Sequence, residues 1–197
     1  VNVYFTLILK PEFEPARASM VTLLMALAVA KGIRETCGAE ALIKWPNDIV
    51  VNGKKVCGIL TEMSVEREFI QYVVIGVGIN VGMQEFVPEI AAAATCLQAE
   101  CGGPVSKAGL IVNSMKAFEE YYDGFRCASD LGGVLEEYNA LLVNRGREVR
   151  VLDPKGAFCG ISRGINAGGE LLVEREDGLL TCVYAGEVSV RGINGYT

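Results

Sequence analysis

A chain of 197 residues, 51% hydrophobic and 21% charged, can bury a full core as one main domain with at most a small appendage. Its net charge of −6 leaves no basic stripe for backbone-led nucleic-acid binding. With no histidine, Ser-His-Asp and Cys-His catalysis are excluded, so any chemistry must use Lys, Arg, Asp, Glu and backbone dipoles.

Val1 to Lys10 alternates Val3, Phe5, Leu7 and Leu9 against Asn2, Tyr4, Thr6 and Ile8, the period-2 pattern of a strand with one face in the core. This start has neither the basic opening nor the cleavage site of a signal peptide. Pro11 stops the strand. Pro15 suits the first turn of a helix running from about Ala16 to Thr36, with Gly38 as its stop. The helix is apolar nearly all round from Met20 to Val29, as a helix buried on a sheet is. Its uncharged run, Ala18 to Ala30, falls short of the ~18–20 residues of a bilayer span, so the protein reads as soluble.

The stretch from Lys44 to Leu60, KWPNDIVVNGKKVCGIL, organises the rest. The proline at 46 disfavours helical geometry one residue back, so Ala41 to Trp45 is a strand and Pro46-Asn47-Asp48 a turn. Ile49-Val50-Val51 is β-branched, Asn52-Gly53 tolerates the two positive φ angles of a type I′ turn, and Lys55 to Met63 returns as a second strand. With Asn52 and Gly53 as the turn, Val51 faces Lys54, Val50 faces Lys55 and Ile49 faces Val56. Asp48, Val50, Lys55 and Cys57 then share one face, and Asp48 and Lys55 are diagonal neighbours at roughly 7–8 Å, within reach of a lysine stem. A pattern of this kind also describes a surface ion pair worth about 0–1 kcal/mol.

After an exposed turn at Glu66-Arg67-Glu68, Phe69 to Asn80 reads as a strand with Gly76 and Gly78 inside a Val/Ile run, marking a bulge or a close approach by backbone or ligand. No phosphate-binding P-loop is present. Gly82 to Gly103 is a connection with a short helix from Pro88 to Glu100 and no assigned chemistry. Ser106 N-caps a helix from Lys107 to about Cys127 whose Ile111, Met115, Phe118, Tyr122 and Phe125 read as core. A further helix covers Gly133 to Val143, and Asn144-Arg145-Gly146 breaks it. Five short strands follow, at Glu148–Leu152, Ala157–Ile161, Glu170–Arg175, Leu179–Tyr184 and Glu187–Arg191, with turns at 153–156 and 176–178; they suggest a small β-barrel docked on the main domain. Seven scattered cysteines without a C-x-x-C pair argue against zinc and a disulfide scaffold, and fit a reducing cytoplasm.

KWPND, the lysine before V-C-G-I-L, VVIGVGINVG at Val73–Gly82, GISRGI at Gly160–Ile165 and GEVSVR at Gly186–Arg191 together resemble the biotin protein ligases, over most of the chain. The resemblance implies an α+β fold with a mixed, mainly antiparallel sheet packed on helices, class II synthetase-like, then a small C-terminal β-barrel. The domains would be 1–145, binding biotin and ATP, and 146–197. It implies ATP-dependent ligation of biotin to a lysine of a biotin carboxyl carrier protein domain through biotinyl-5′-adenylate, with Mg2+ as counter-ion to the ATP phosphates.

By motif, Lys55 corresponds to the lysine that meets the biotin carboxylate and phosphate, and Asp48 to the carboxylate that orients Lys55 or helps the incoming lysine lose its proton. Gly58, Ile59, Leu60, Gly76, Gly78 and Ile79 would line the biotin floor, with Lys44, Asn47 and Asn80 serving the nucleotide; no metal ligand is assigned. The glycine/arginine-rich adenylate loop and a Thr/Asn biotin segment that precede this region in the family are absent here, so the sequence reads as lacking its N-terminal part. Family members pair through sheet edges, and the strands at Val1–Leu9 or Phe69–Asn80 are candidates for a homodimer. A lipoyl or octanoyl transferase, and a non-catalytic binding or dimerisation protein on the same scaffold, are the alternatives. No membrane or nucleic-acid partner is implied for this stretch.

Overall fold

Strands alternating at period 2 need a cover for their apolar side, and the first half of the chain supplies it with one helix. The structure, a computed structural model, describes residues 1–153, 156–185, 189–192 and 196–197. β1 (Val3–Leu9), β2 (Leu42–Lys44), β3 (Asp48–Val51), β4 (Lys54–Glu66) and β5 (Phe69–Ile79) form an antiparallel sheet in the order β1-β5-β4-β3-β2. α1 (Ala18–Cys37), entered through a 3-10 turn at Pro15–Arg17 and ended by Gly38 at φ 71°, lies against one face. From Pro15 to Cys37 this element is long and apolar enough to cross a bilayer, beyond what its uncharged run suggested; 67% of its most apolar window is buried, the mark of a core helix.

The connection 82–103 departs from the expected single helix. It forms two short helices, α2 (Pro88–Ala91) and α3 (Leu97–Cys101). Between them Lys55 N–H donates to Ala93 O (2.7 Å) and Thr95 N–H to Lys55 O (2.9 Å), so strand pairing with β4 interrupts the helical run.

α4 (Lys107–Ala128) begins at the expected Ser106 cap, whose hydroxyl accepts from Gly109 N–H. Its buried face is Leu110, Ser114, Ala117, Phe118, Tyr121 and Phe125, leaving Ile111 exposed and Met115 and Tyr122 only partly covered. The stripe turns because α4 crosses α1 at Gly32, where a Cβ would stand 2.7 Å from the Ser114 backbone nitrogen. Small residues carry that crossing, and hydropathy does not single them out.

A 3-10 turn at Gly132–Val134 leads into α5 (Leu135–Leu141), after which Val143 N–H bonds Ile43 O (2.9 Å) beside β2. Of the two strands considered for pairing, β5 is interior, between β1 and β4, and only β1 is an edge. β6 (Glu148–Leu152), β7 (Phe158–Ile165), β8 (Leu171–Glu174), β9 (Leu180–Val183) and β10 (Ser189–Gly192) form a second antiparallel sheet, ordered β10-β6-β7-β8-β9. Pro154 and Lys155 of the expected 153–156 turn, and Gly186, Glu187 and Val188 of the GEVSVR motif, lie outside the described residues. The molecule has the expected α+β class.

The second sheet is tied to the rest of the molecule by specific bonds. Asn139 brackets Ile165, donating to its carbonyl (3.1 Å) and accepting from its N–H (2.7 Å). The Trp45 indole donates to Gly169 O (3.1 Å), and Leu131 N–H to Ala167 O (2.9 Å). Because the Gly32 crossing has no slack, Gly32→Ala is expected to destabilise the protein by about 1–3 kcal/mol in urea unfolding, by forcing α1 and α4 apart.

Candidate functional site

The turn at Asn52 (φ 50°) and Gly53 (φ 74°) has the two left-handed residues of a type I′ hairpin. Val51 opposes Lys54 and Val50 opposes Lys55, as the residue count requires. There the register shifts by a β-bulge: Ile49 opposes Cys57, not Val56, and Asp48 opposes Gly58. Two consequences follow from the one extra residue. Val56 and Cys57 both enter the core, so Cys57 leaves the face expected to hold it beside Lys55. Gly58 arrives directly across from Asp48.

The bare backbone at Gly58 is where the lysine stem lies. Lys55 Nζ is 2.5 Å from Asp48 Oδ1, and a Cβ on Gly58 would stand 3.1 Å from both Nζ and Cε of Lys55. Pairing extends the row across all five strands: Tyr4 opposes Gly78, Gly78 opposes Gly58, Gly58 opposes Asp48, and Asp48 opposes Lys44. Thr6, Gly76 and Leu60 make a second row beside it. This face carries charge at one end and bare backbone in the middle, while the opposite face is packed under α1.

A cavity of about 610 Å³ opens over these rows. Of the residues singled out from sequence, Asn47, Lys55, Gly58, Ile59, Leu60, Gly76 and Gly78 line it. Lys44 and Asp48 line an adjoining cavity of about 580 Å³ that shares Asn47, Ile59 and Leu60 with the first. Ile79 and Asn80 are not brought in. Ile79 is fully buried on the core face. Asn80 works as a clasp, donating to Thr95 O (3.2 Å) through its amide while its carbonyl accepts from Leu97 N–H (2.9 Å). The Asn47 amide is committed to Ile59 O (2.8 Å). A larger cavity, about 810 Å³, lies between the end of β1 and the end of α4 and contains none of these residues.

The site holds further residues that no sequence motif marks. Tyr4 lays its ring against Gly78, where a Cβ would stand 3.2 Å from the ring, and Phe5, Thr6 and Val77 also line the cavity. Glu100 fastens the hairpin from outside, accepting from the Asn52 amide and the Thr95 hydroxyl, each at 2.6 Å. Tyr196 donates its phenol to Asp48 Oδ2, and the Lys44 ammonium sits 4.3 Å from its ring centroid. Nothing in the sequence joins positions 48 and 196; alternation did mark Tyr4 and Thr6 as one face.

Burial lowers the Lys44 ammonium pKa, opposed by Asp48 and reinforced by Lys55 and Arg191. The Cys57 thiol is pushed up by burial first and by Asp48 second, which makes it an inert core thiol. Burial, then the hydrogen bond and charge of Asp48, raise the Tyr196 phenol above its ordinary value of 10, against Arg191. A group with a raised folded pKa contributes stability that is present below its unfolded pKa and lost as pH climbs beyond it. The stability advantage of the wild type over Tyr196→Phe, measured by urea unfolding, is therefore expected to hold level from neutral pH up to about pH 10 and to shrink above it.

Residues 2–80 match the model of the biotin/lipoate A/B protein ligase family, and residues 146–191 that of the biotin protein ligase C-terminal domain. The bifunctional ligase/repressor BirA of Bacillus subtilis is 37% identical over 96% of this chain, which spans 58% of that relative's length. A biotin–[acetyl-CoA-carboxylase] ligase of Paracoccus denitrificans is 40% identical over 40% of this chain and 34% of its own. The biotin protein ligase of Aquifex aeolicus, solved with biotin and ATP, superposes with a TM-score of 0.84 at 27% identity, covering 97% of this chain and 78% of that one. The two matched regions and the fold together make this chain a member of the biotin protein ligase family, with its catalytic and C-terminal regions.

Proposed function

We propose that the protein ligates biotin to a protein lysine. In the first step a biotin carboxylate oxygen attacks the α-phosphorus of ATP, the bond to pyrophosphate breaks, and biotinyl-5′-adenylate forms. In the second, the amine of a lysine on a biotin carboxyl carrier protein domain attacks the acyl carbon, AMP leaves, and the amine loses a proton. The observation that carries this reading is the Lys55 ammonium held by Asp48 across bare backbone in a cavity of about 610 Å³. Negative charge grows on phosphoryl oxygen in one step and acyl oxygen in the other, and a fixed cation lowers both barriers. The relatives named for biotin ligation, and the Aquifex enzyme solved with biotin and ATP, support the substrates.

Within this reading Lys55 meets the biotin carboxylate and the α-phosphate. Gly58, Gly76 and Gly78 form the floor, with Ile59 and Leu60 at its side; Ile79 backs that floor from the core. Lys44 and Asn47, bordering the adjoining cavity, serve the nucleotide. Asp48 acts as the orienting carboxylate, since both of its oxygens are engaged, one by Lys55 and one by Tyr196.

Mg2+ would accompany the ATP phosphates as their counter-ion, held mainly by phosphate oxygens and water, and such an ion needs no group of three protein ligands, of which the described residues hold none. The division at residues 145 and 146 follows the passage from α5 into the second sheet. Seven free thiols fit a cytoplasmic setting. β1, the open sheet edge, is the strand through which a second copy would pair.

The test is made on the full-length protein. Lys55→Ala and Asp48→Ala are expected to keep the fold and to lower biotin-dependent pyrophosphate release and carrier biotinylation by about 10²-fold or more; retained transfer in both variants sinks the assignment. Calorimetric titration is expected to give binding of biotin and none of lipoate. Gly58→Val is expected to fold, because the displaced neighbour is the free end of a lysine, yet to lose transfer by moving that end off the floor.

A further inference from the structure

Asp48 has two carboxylate oxygens, and the hairpin accounts for one. Oδ1 takes the Lys55 ammonium at 2.5 Å. Oδ2 accepts from the phenol of Tyr196, a residue that follows β10 of the second sheet. The Tyr196 ring is itself held, with the Lys44 ammonium 4.3 Å from its centroid. Its neighbour Thr197 lies by the hairpin turn, its hydroxyl 3.5 Å from where a Cβ on Gly53 would be. Tyr196 lines neither of the two cavities around the pair, so it backs the carboxylate and leaves the space before it open.

The carboxylate of an aspartate turns about a broad, roughly two-fold torsion. With one donor it would rotate together with its lysine; with donors on both oxygens it is fixed. We propose that Tyr196 is a positioning residue: its phenol pins Asp48, which aims the Lys55 ammonium across Gly58 into the cavity, so that the second sheet completes a site the first sheet cannot build alone. The inference rests on reading Lys55 as the working cation. It needs the second sheet held against the first domain, and the Trp45–Gly169 and Asn139–Ile165 bonds hold it there.

The experiment compares the full-length protein with Tyr196→Phe, which removes the hydroxyl and keeps the ring. Lys55 is acetylated with limiting acetic anhydride in competition with the adjacent, exposed Lys54, and tandem mass spectrometry reads the ratio. Loss of a charge-assisted hydrogen bond is expected to raise the Lys55-to-Lys54 ratio about threefold or more. Pyrophosphate release is expected to slow about tenfold in kcat with KM for biotin unchanged. Tyr196→His, a ring that restores a donor, is expected to move both values back toward the wild type, and it carries the test should Tyr196→Phe fail to fold. An unchanged labelling ratio in a folded Tyr196→Phe overturns the inference whether or not the protein is an enzyme. A raised KM with intact kcat overturns it as well. A raised ratio in a protein that releases no pyrophosphate even as wild type supports the pinning and removes the ligase reading instead.

Discussion

One extra residue in one strand sets the geometry on which the rest depends. The bulge at Val56 shifts the hairpin register so that a glycine, and no side chain, stands opposite Asp48. Without the shift, Val56 would pair with Ile49, Cys57 would sit on the charged face, and the lysine stem would cross an occupied position. With it, the ammonium lies 2.5 Å from the carboxylate on open backbone, and two apolar side chains go to the core. Bulges next to functional residues re-aim side chains in this way.

The hairpin does not stand alone, because its polar partners come from three distant segments. Ala93 and Thr95 bracket the backbone of Lys55 from the side opposite β3, and Glu100 ties the turn to α3. The second sheet reaches back with Tyr196. The contacts to the Lys55 backbone and to Asp48 satisfy buried or half-buried groups and are costly to remove, while the Asn52–Glu100 bond lies at the exposed turn. They fix the backbone on both sides of the lysine while leaving its ammonium at a cavity.

Local chemistry was legible in the sequence, and distance was not. Asn52-Gly53 announced its turn, the Ser106 cap its helix, and the alternation of Val3 to Leu9 its faces, because each is a short-range backbone preference. The Asp48–Lys55 contact followed from counting residues around the turn. The count failed at Val56, since a bulge is decided by what packs on either face. The helix expected over Pro88–Glu100 failed for a related reason: its middle, at Ala94, pairs with Lys55 of a strand far earlier in the chain. The face of α4 was misjudged because Gly32 and Ser114 pack by being small. Asn80, read as a ligand residue, spends its amide and carbonyl closing a loop.

Tyr4 has a role that its exposure conceals. It is 76% exposed, yet its ring rests on Gly78, covering the end of the bare row that starts at the charged pair. Because Tyr4 belongs to an edge strand, its ring reaches Gly78 from the rim of the sheet, and a Cβ at position 78 would press on it at 3.2 Å. Any side chain at 78 would therefore push the tyrosine off the sheet, and the glycine is what lets the ring lie flush with it.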